Sequence, residues 1–265
     1  MVNYHLGAIM SLDLGESIRQ QFGAAAANYA ASGVHSGGPN LDAMLDRAAL
    51  RGDERVLDVG CGAGHTAIAF APHVAEVVAL DMTREMLDEA DRLAAKRGLA
   101  NVSFRLGFAE ELPFADGAFD LVTSRFCAHH YADPARATRE ASRVLRAGGR
   151  YLLVDSIALE DPVQDTYLNA IELLRDPSHV RDASVSQWLS SFAAAGLAAE
   201  KVAQWKLRLE FEPWLARIGT PRTLAEGIRS LLDAAPREVR EALELSDATG
   251  YDFTMPVALI EGMRR

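Results

Sequence analysis

Between residues 55 and 155 the chain alternates short apolar runs with longer stretches whose apolar positions recur every three or four residues. The short runs are Arg55–Val59, Glu76–Leu80, Val102–Leu106, Phe119–Ser124 and Arg150–Asp155. Several lack polar alternation, the pattern of strands covered on both faces. The periodic stretches predict helices. Met86, Leu87, Ala90, Leu93 and Ala94 share one helical face after Thr83, and Gly98 stands where a left-handed cap ends such a helix. Asp133-Pro134 supplies an N-cap and first residue for the next helix, which runs to Leu145 and stops before Gly148-Gly149. Ser184 with Gln187 reads as a capping box ahead of Val185, Trp188, Leu189, Phe192 and Ala193. Strand and helix in alternation predict an α/β fold with a largely parallel sheet.

Two regions lie outside the alternation. Residues 1–48 predict an N-terminal helical cap, with Ala24–Ala27 and Tyr29 on one helix. Residues 49–265 form the main domain, and 157–246 within it are mostly helical, broken by a strand at Val202–Phe211. A final strand is predicted at Phe253–Ile260. Helices inserted before a last strand cover the carboxyl ends of the sheet, where α/β folds bind their ligands.

Composition narrows the function classes. The chain has 265 residues, 49% of them hydrophobic, which excludes disorder as its main state. Its net charge is −10, with 27 basic against 37 acidic residues. Duplex binding needs clustered Lys and Arg, so nucleic acid is not an expected partner. No run of 18 apolar residues predicts a membrane span. Met1–Leu14 lacks a basic start, so the expected compartment is cytoplasmic. Cys61 and Cys127 are too few for a disulfide framework or an all-cysteine zinc site.

The most informative stretch is Val56-Leu57-Asp58-Val59-Gly60-Cys61-Gly62-Ala63-Gly64-His65. It sets a glycine-rich turn between the first strand and the first helix of the alternation. Only bare backbone turns this tightly and admits a ligand against it. A dinucleotide fingerprint needs a third glycine where His65 stands, and Asp58 would oppose a pyrophosphate. A carboxylate there suits an ammonium group, met directly or through water. Asp81 ends the second strand, 21 residues after Gly60, where an acid accepts both ribose hydroxyls. A ribose, an amino acid head and no phosphate describe S-adenosylmethionine. A nicotinamide oxidoreductase is the alternative, as is a fold that binds the cofactor without transferring methyl.

The sequence resembles the class I S-adenosylmethionine-dependent methyltransferases, within them the type 11 small-molecule branch that includes the ubiquinone and menaquinone C-methyltransferases. The likeness rests on Val56–Gly64, Val78–Asp81, Ala109-Glu110-Glu111-Leu112-Pro113-Phe114, Phe119-Asp120-Leu121-Val122 and Leu145–Gly149. It implies a doubly wound Rossmann-like sheet, mostly parallel with an antiparallel last strand. It also implies S-adenosylmethionine as cofactor, S-adenosylhomocysteine as product, a small-molecule acceptor (quinone, phenol or secondary metabolite) and a monomer or homodimer. Carried over by motif, Asp58, Gly60, Cys61 and Gly62 hold the methionine portion and Asp81 the ribose. Met82 packs on adenine, Ala109 and Glu110 border its edge, Arg125 lines the pocket near the methyl, and Tyr29 closes over it. Phe108 stands where the family usually has Asp, so a backbone carbonyl or ring stacking must serve the adenine instead.

His129 and His130 follow the fourth strand and are the candidate bases, needed only if the acceptor must lose a proton. His35, His179 and Arg181 are candidates for the acceptor side. Packing or solvated roles compete for all of them. No metal site is expected: Cys127, His129 and His130 are too close in sequence to converge from one turn, and no fourth ligand is evident.

Overall fold

The computed structural model describes residues 13–30, 36–245 and 250–265. His35 lies outside them. The strands are β1 (Arg55–Val59), β2 (Glu76–Asp81), β3 (Val102–Leu106), β4 (Phe119–Arg125), β5 (Leu145–Ser156), β6 (Leu197–Leu209) and β7 (Phe253–Arg264). The helices are α1 (Leu14–Ala30), α2 (Pro39–Ala48), α3 (His65–Phe70), α4 (Arg84–Lys96), α5 (Pro134–Val144), α6 (Pro162–Arg175), α7 (Val185–Ala194), α8 (Phe211–Ile218), α9 (Arg222–Asp233) and α10 (Arg237–Ala242).

Along β1 the side chains alternate between two cores, as the two-residue period of a strand requires. Leu57 and Val59 join Val78, Leu80, Val122 and Trp188 on one face of the sheet. Val56 joins Phe70, Val77, Leu121 and Leu152 on the other. Both faces are therefore buried, which explains the unbroken apolar runs. The sheet order is β3-β2-β1-β4-β5-β7-β6. The first five strands pair in parallel, and β7 runs antiparallel to both β5 and β6. The fold is thus the doubly wound α/β arrangement with an antiparallel last strand. The chain winds outward from β1 to β3 and then returns to β4 on the other side of β1. That switch opens a crevice at the strands' carboxyl ends.

Two strands start earlier than the apolar pattern predicts. β5 begins at Leu145 and carries Gly148 and Gly149 inside it, opposite a register shift between Phe119 and Leu121. The glycines mark an irregularity in a strand rather than a loop. β6 begins at Leu197, where Glu200 and Lys201 hide it among polar residues; it is the sheet's edge, and polar side chains suit an edge. The predicted caps form: Asp133 accepts from the Arg136 N–H at 2.9 Å, and Ser184 with Gln187 makes a reciprocal capping box.

Outside the sheet, α1 lies against α4 and α8. Residues of α6, α8, α9 and α10 form a third core around Leu168, Ile171, Trp214, Ile228 and Phe253. Of these elements, α1 roofs the crevice.

Candidate active site

The glycine loop leaves β1 with Gly60 at φ 66° and Gly62 at φ 51°, backbone that glycine adopts without strain. At Gly60 close approach adds to this, because a Cβ would stand 1.9 Å from the Cys127 sulfur. A Cβ at Gly62 would meet nothing within 4 Å. The Gly60 and Cys61 N–H groups donate to the Leu80 carbonyl at 2.8 and 3.0 Å, tying the loop to the end of β2. There Asp81 accepts from the Gly62 N–H and the Thr83 N–H, each at 2.8 Å. Burial pushes the Asp81 carboxyl upward, and these donors pull it partly back.

Above the loop lies a cavity of about 560 Å³, within the range of small-molecule sites. Tyr29, Gly60, Cys61, Gly62, Asp81 and Met82 line it, as do Ala109, Glu110 and Arg125. Nine of the ten residues expected around the cofactor therefore meet at one cavity. Phe108, also on its wall, is 47% exposed, so its ring stands at the mouth. His65 donates to the Tyr29 carbonyl at 3.1 Å and so joins α1 to the loop.

Asp58 is the exception. It is 1% exposed and sits beneath the loop, accepting from the Ala67 N–H at 3.1 Å and the Thr123 hydroxyl at 2.8 Å. It is not among the described residues lining the cavity. From this position Asp58 faces the cavity through the loop rather than from its wall, and α3 and β4 each supply it a donor. Burial pushes Asp58 up to about 7, against the pull of Thr123 and Arg125.

Acidic groups surround the loop. Burial pushes both the Cys61 and Cys127 thiols up, and Asp81 pushes them further, with Asp58 adding to it. Among the described residues, Arg19 and Arg125 are the arginines on the cavity wall, and Arg125 donates to Thr66 and to Asn40, each at 3.0 Å. Burial brings Arg125 down to about 10, with Asp58 holding it up.

The two candidate histidines part company. His130 lines this cavity and also a second, smaller one of about 70 Å³, which shares Phe22, Tyr29 and Phe126 with the first. His129 lines only the smaller cavity. The His130 Nδ1–H donates to the Ser178 carbonyl at 3.0 Å, and Nε2 lies 3.8 Å from an Asp176 oxygen, beyond hydrogen-bond reach. Burial and the neighbouring His129 charge bring His130 down to about 4, so its ring is neutral at neutral pH. His129 donates from Nδ1 to Asp155 at 2.6 Å. Burial opposes its charge, but Asp155 outweighs that and holds His129 up at about 9.

His129, Asp155 and Asp182 present potential ligand atoms within 4.8 Å of one another. Two ligands each about 2.1 Å from one ion at a right angle stand roughly 3 Å apart. The 2.6 Å between His129 and Asp155 is instead the length of a charged hydrogen bond. His179 and Arg181 are not among the described residues lining either cavity. The His179 Nε2–H donates to the Asn169 Oδ1 at 3.1 Å, and Arg181 pairs with Asp165.

Glu172, Arg217 and Phe22, which sequence reasoning does not single out, stand with Arg175 on the walls of the smaller cavity. Burial pushes Glu172 up to about 7, with Arg175 pulling it back. On the sequence these residues are ordinary helix positions, three charged and one aromatic; only the packing of α1, α6 and α8 together could reveal their shared wall.

A family described as "Methyltransferase domain" matches residues 57–153. The Bacillus subtilis methyltransferase YcgJ, itself uncharacterised, is 42% identical over 88% of this chain and 93% of its own. The uncharacterised Escherichia coli K12 protein YafE is 40% identical over 76% of this chain and 97% of its own. The YcgJ crystal structure superposes with a TM-score of 0.83, covering 85% of this chain and 98% of that one. BH2331 of Bacillus halodurans C-125, assigned to the methyltransferases, superposes at 0.82 with 35% identity, over 86% of this chain and 99% of that one. None of these comparisons supports an oxidoreductase. The chain belongs to the methyltransferase family, in its type 11 branch on the class I fold.

Proposed function

We propose that this protein moves a methyl group from S-adenosylmethionine to a small organic acceptor by in-line displacement. The observation that carries this reading is Asp81, held by two backbone donors at the floor of the cavity between the bare glycine loop and Met82. The carboxylate keeps lone pairs for a pair of ribose hydroxyls. Gly60 and Gly62 admit the methionine portion against backbone, and Met82 with Ala109 forms an apolar slot for adenine. The acidic surroundings of Cys61 and Cys127 suit a sulfonium and an ammonium. The cofactor supplies an electrophilic methyl when bound.

What this chain's residues add is position, dryness and a place for a proton. Aligning donor with acceptor is worth on the order of 7–11 kcal/mol. Phe22 and Tyr29 roof both cavities and exclude water. His130 offers a neutral ring whose Nε2 makes no hydrogen bond among the described residues, so it serves as base where the acceptor must be deprotonated. His129 keeps its proton on Asp155 and serves to position rather than to accept.

Titration calorimetry with S-adenosylmethionine, S-adenosylhomocysteine and NAD tests the cofactor. Heat with the first two and none with NAD is expected; the reverse would return the oxidoreductase alternative. Release of S-adenosylhomocysteine with some acceptor then separates transfer from mere binding.

A further inference from the structure

Resting on the methyl-transfer reading, we propose that the acceptor is a small organic acid whose carboxylate is held by Arg217 in the smaller cavity. The chain as a whole is acidic, with a net charge of −10. The smaller cavity reverses that sign: Arg175, Arg217 and His129 face a single carboxyl, Glu172. Arg175 is fully engaged. Its Nε donates to the Trp214 carbonyl at 3.2 Å, its guanidinium lies 5.1 Å over the Trp214 ring, and Glu172 is 3.6 Å away.

Arg217 is different. It is half-buried at the end of α8, and among the described residues its guanidinium makes no hydrogen bond or ion pair. Burial lowers its affinity for its own proton, and the neighbouring Arg175 lowers it further. A planar fork of donors with no protein acceptor matches a carboxylate in both geometry and charge.

Size and lining narrow the class. About 70 Å³ admits a carboxylate with a few carbons, and Leu207, Leu209 and Met255 offer it apolar walls. The remainder of the acceptor extends past Phe22 and His130 into the larger cavity. A phosphate would bring a second negative charge next to Glu172, where Arg175 and His129, the other cations among the described lining residues, are already engaged. The held end therefore sits away from the cofactor, and the methylated atom belongs to the part that reaches across His130.

The test uses the full chain saturated with S-adenosylhomocysteine. Acetate, butyrate, hexanoate and benzoate are titrated against their amides and against inorganic phosphate, in wild type, Arg217→Gln and Arg217→Lys. At least one acid is expected to bind about tenfold or more tightly than its amide. Arg217→Gln should lose that preference, Arg217→Lys should keep part of it, and both should bind S-adenosylhomocysteine as wild type does, which reports that they fold. No acid preference anywhere in the series overturns the proposal. So does an acid affinity unchanged in Arg217→Gln, or phosphate bound as tightly as the best acid. Wild type that ignores S-adenosylhomocysteine overturns the methyl-transfer reading instead, and the acid preference is then scored on the free protein.

Discussion

Around the larger cavity, beneath the α1 roof, most of the key groups come from short stretches at the ends of neighbouring parallel strands: 60–62 after β1, 81–82 at the end of β2, 107–110 after β3 and 125–127 at the end of β4. Around the smaller cavity they come from α1, the turn after β4, α6, α8 and the outer strands β6 and β7. On the first side, backbone conformation does the shaping, and each element needs little beyond its own few residues. On the second side, shape exists only once distant helices have packed. The first kind of site is fixed by the fold and repeats wherever the fold does; the second is free to differ in every member.

The sharpest way to break that contrast is Asp81→Ala. If the backbone side is a cofactor site, the change removes the acceptor of two hydroxyls and also strands the Gly62 and Thr83 N–H groups. Hydrogen bonds to a charged group are worth about 1.5–3 kcal/mol each, so S-adenosylhomocysteine should bind about 1000-fold more weakly in calorimetry. Affinity unchanged from wild type would detach Asp81 from the ribose.

Next in size is a pair of alanines in the same loop. Gly60→Ala combines a left-handed backbone with a clash against Cys127, at a cost of about 3 kcal/mol in chemical unfolding. Gly62→Ala shares the backbone conformation but meets open space, so it should cost only about 1 kcal/mol of stability. Its methyl would enter the cavity instead, and binding should suffer more than folding. Equal losses of stability would mean that the close approach to Cys127 does not matter.

The acceptor side makes a prediction about pH. His129 sits at about 9 in the folded chain against 6.5 for a free histidine. The native state therefore holds this proton more tightly. The stabilisation is complete below about pH 6.5 and is lost as pH rises through about 9, by up to about 3 kcal/mol. Wild type should lose stability over that window relative to His129→Gln, measured by urea unfolding at a series of pH values. Parallel curves for the two proteins would show that Asp155 does not hold the proton there.

The same contrast explains what could be read from the sequence. The glycine spacing, Asp81 and the strand runs are local patterns, and local physics turns them into the sheet and the floor of the cavity. Asp58 is harder to read: the sequence marks a carboxylate that suits an ammonium directly or through water, and only the fold shows it beneath the loop, where the Ala67 N–H at the start of α3 donates to it. His129 and His130 are adjacent in sequence but differ because one meets Asp155 on β5 and the other the Ser178 carbonyl past α6. Arg217 carries no local mark at all. Its meaning comes from Arg175, which lies 42 positions earlier and takes up the nearby partners.

Arg181 gives the smallest effect and the finest check on where the acceptor side ends. From sequence it was a candidate to hold an acidic acceptor, as Arg217 is proposed to do. Its side chain is 43% exposed and pairs with Asp165 on α6, away from both cavities. Exposed pairs are worth roughly 0–1 kcal/mol, so Arg181→Ala should cost about 0.5 kcal/mol in unfolding and leave turnover and acid binding as they were. Its backbone N–H, which donates to the His129 carbonyl at 3.1 Å, survives the substitution and keeps the segment in place. If Arg181→Ala lowered acid affinity as Arg217→Gln should, the carboxylate would lie nearer the loop after α6 than the smaller cavity allows, and the anchor would pass from α8 to that loop.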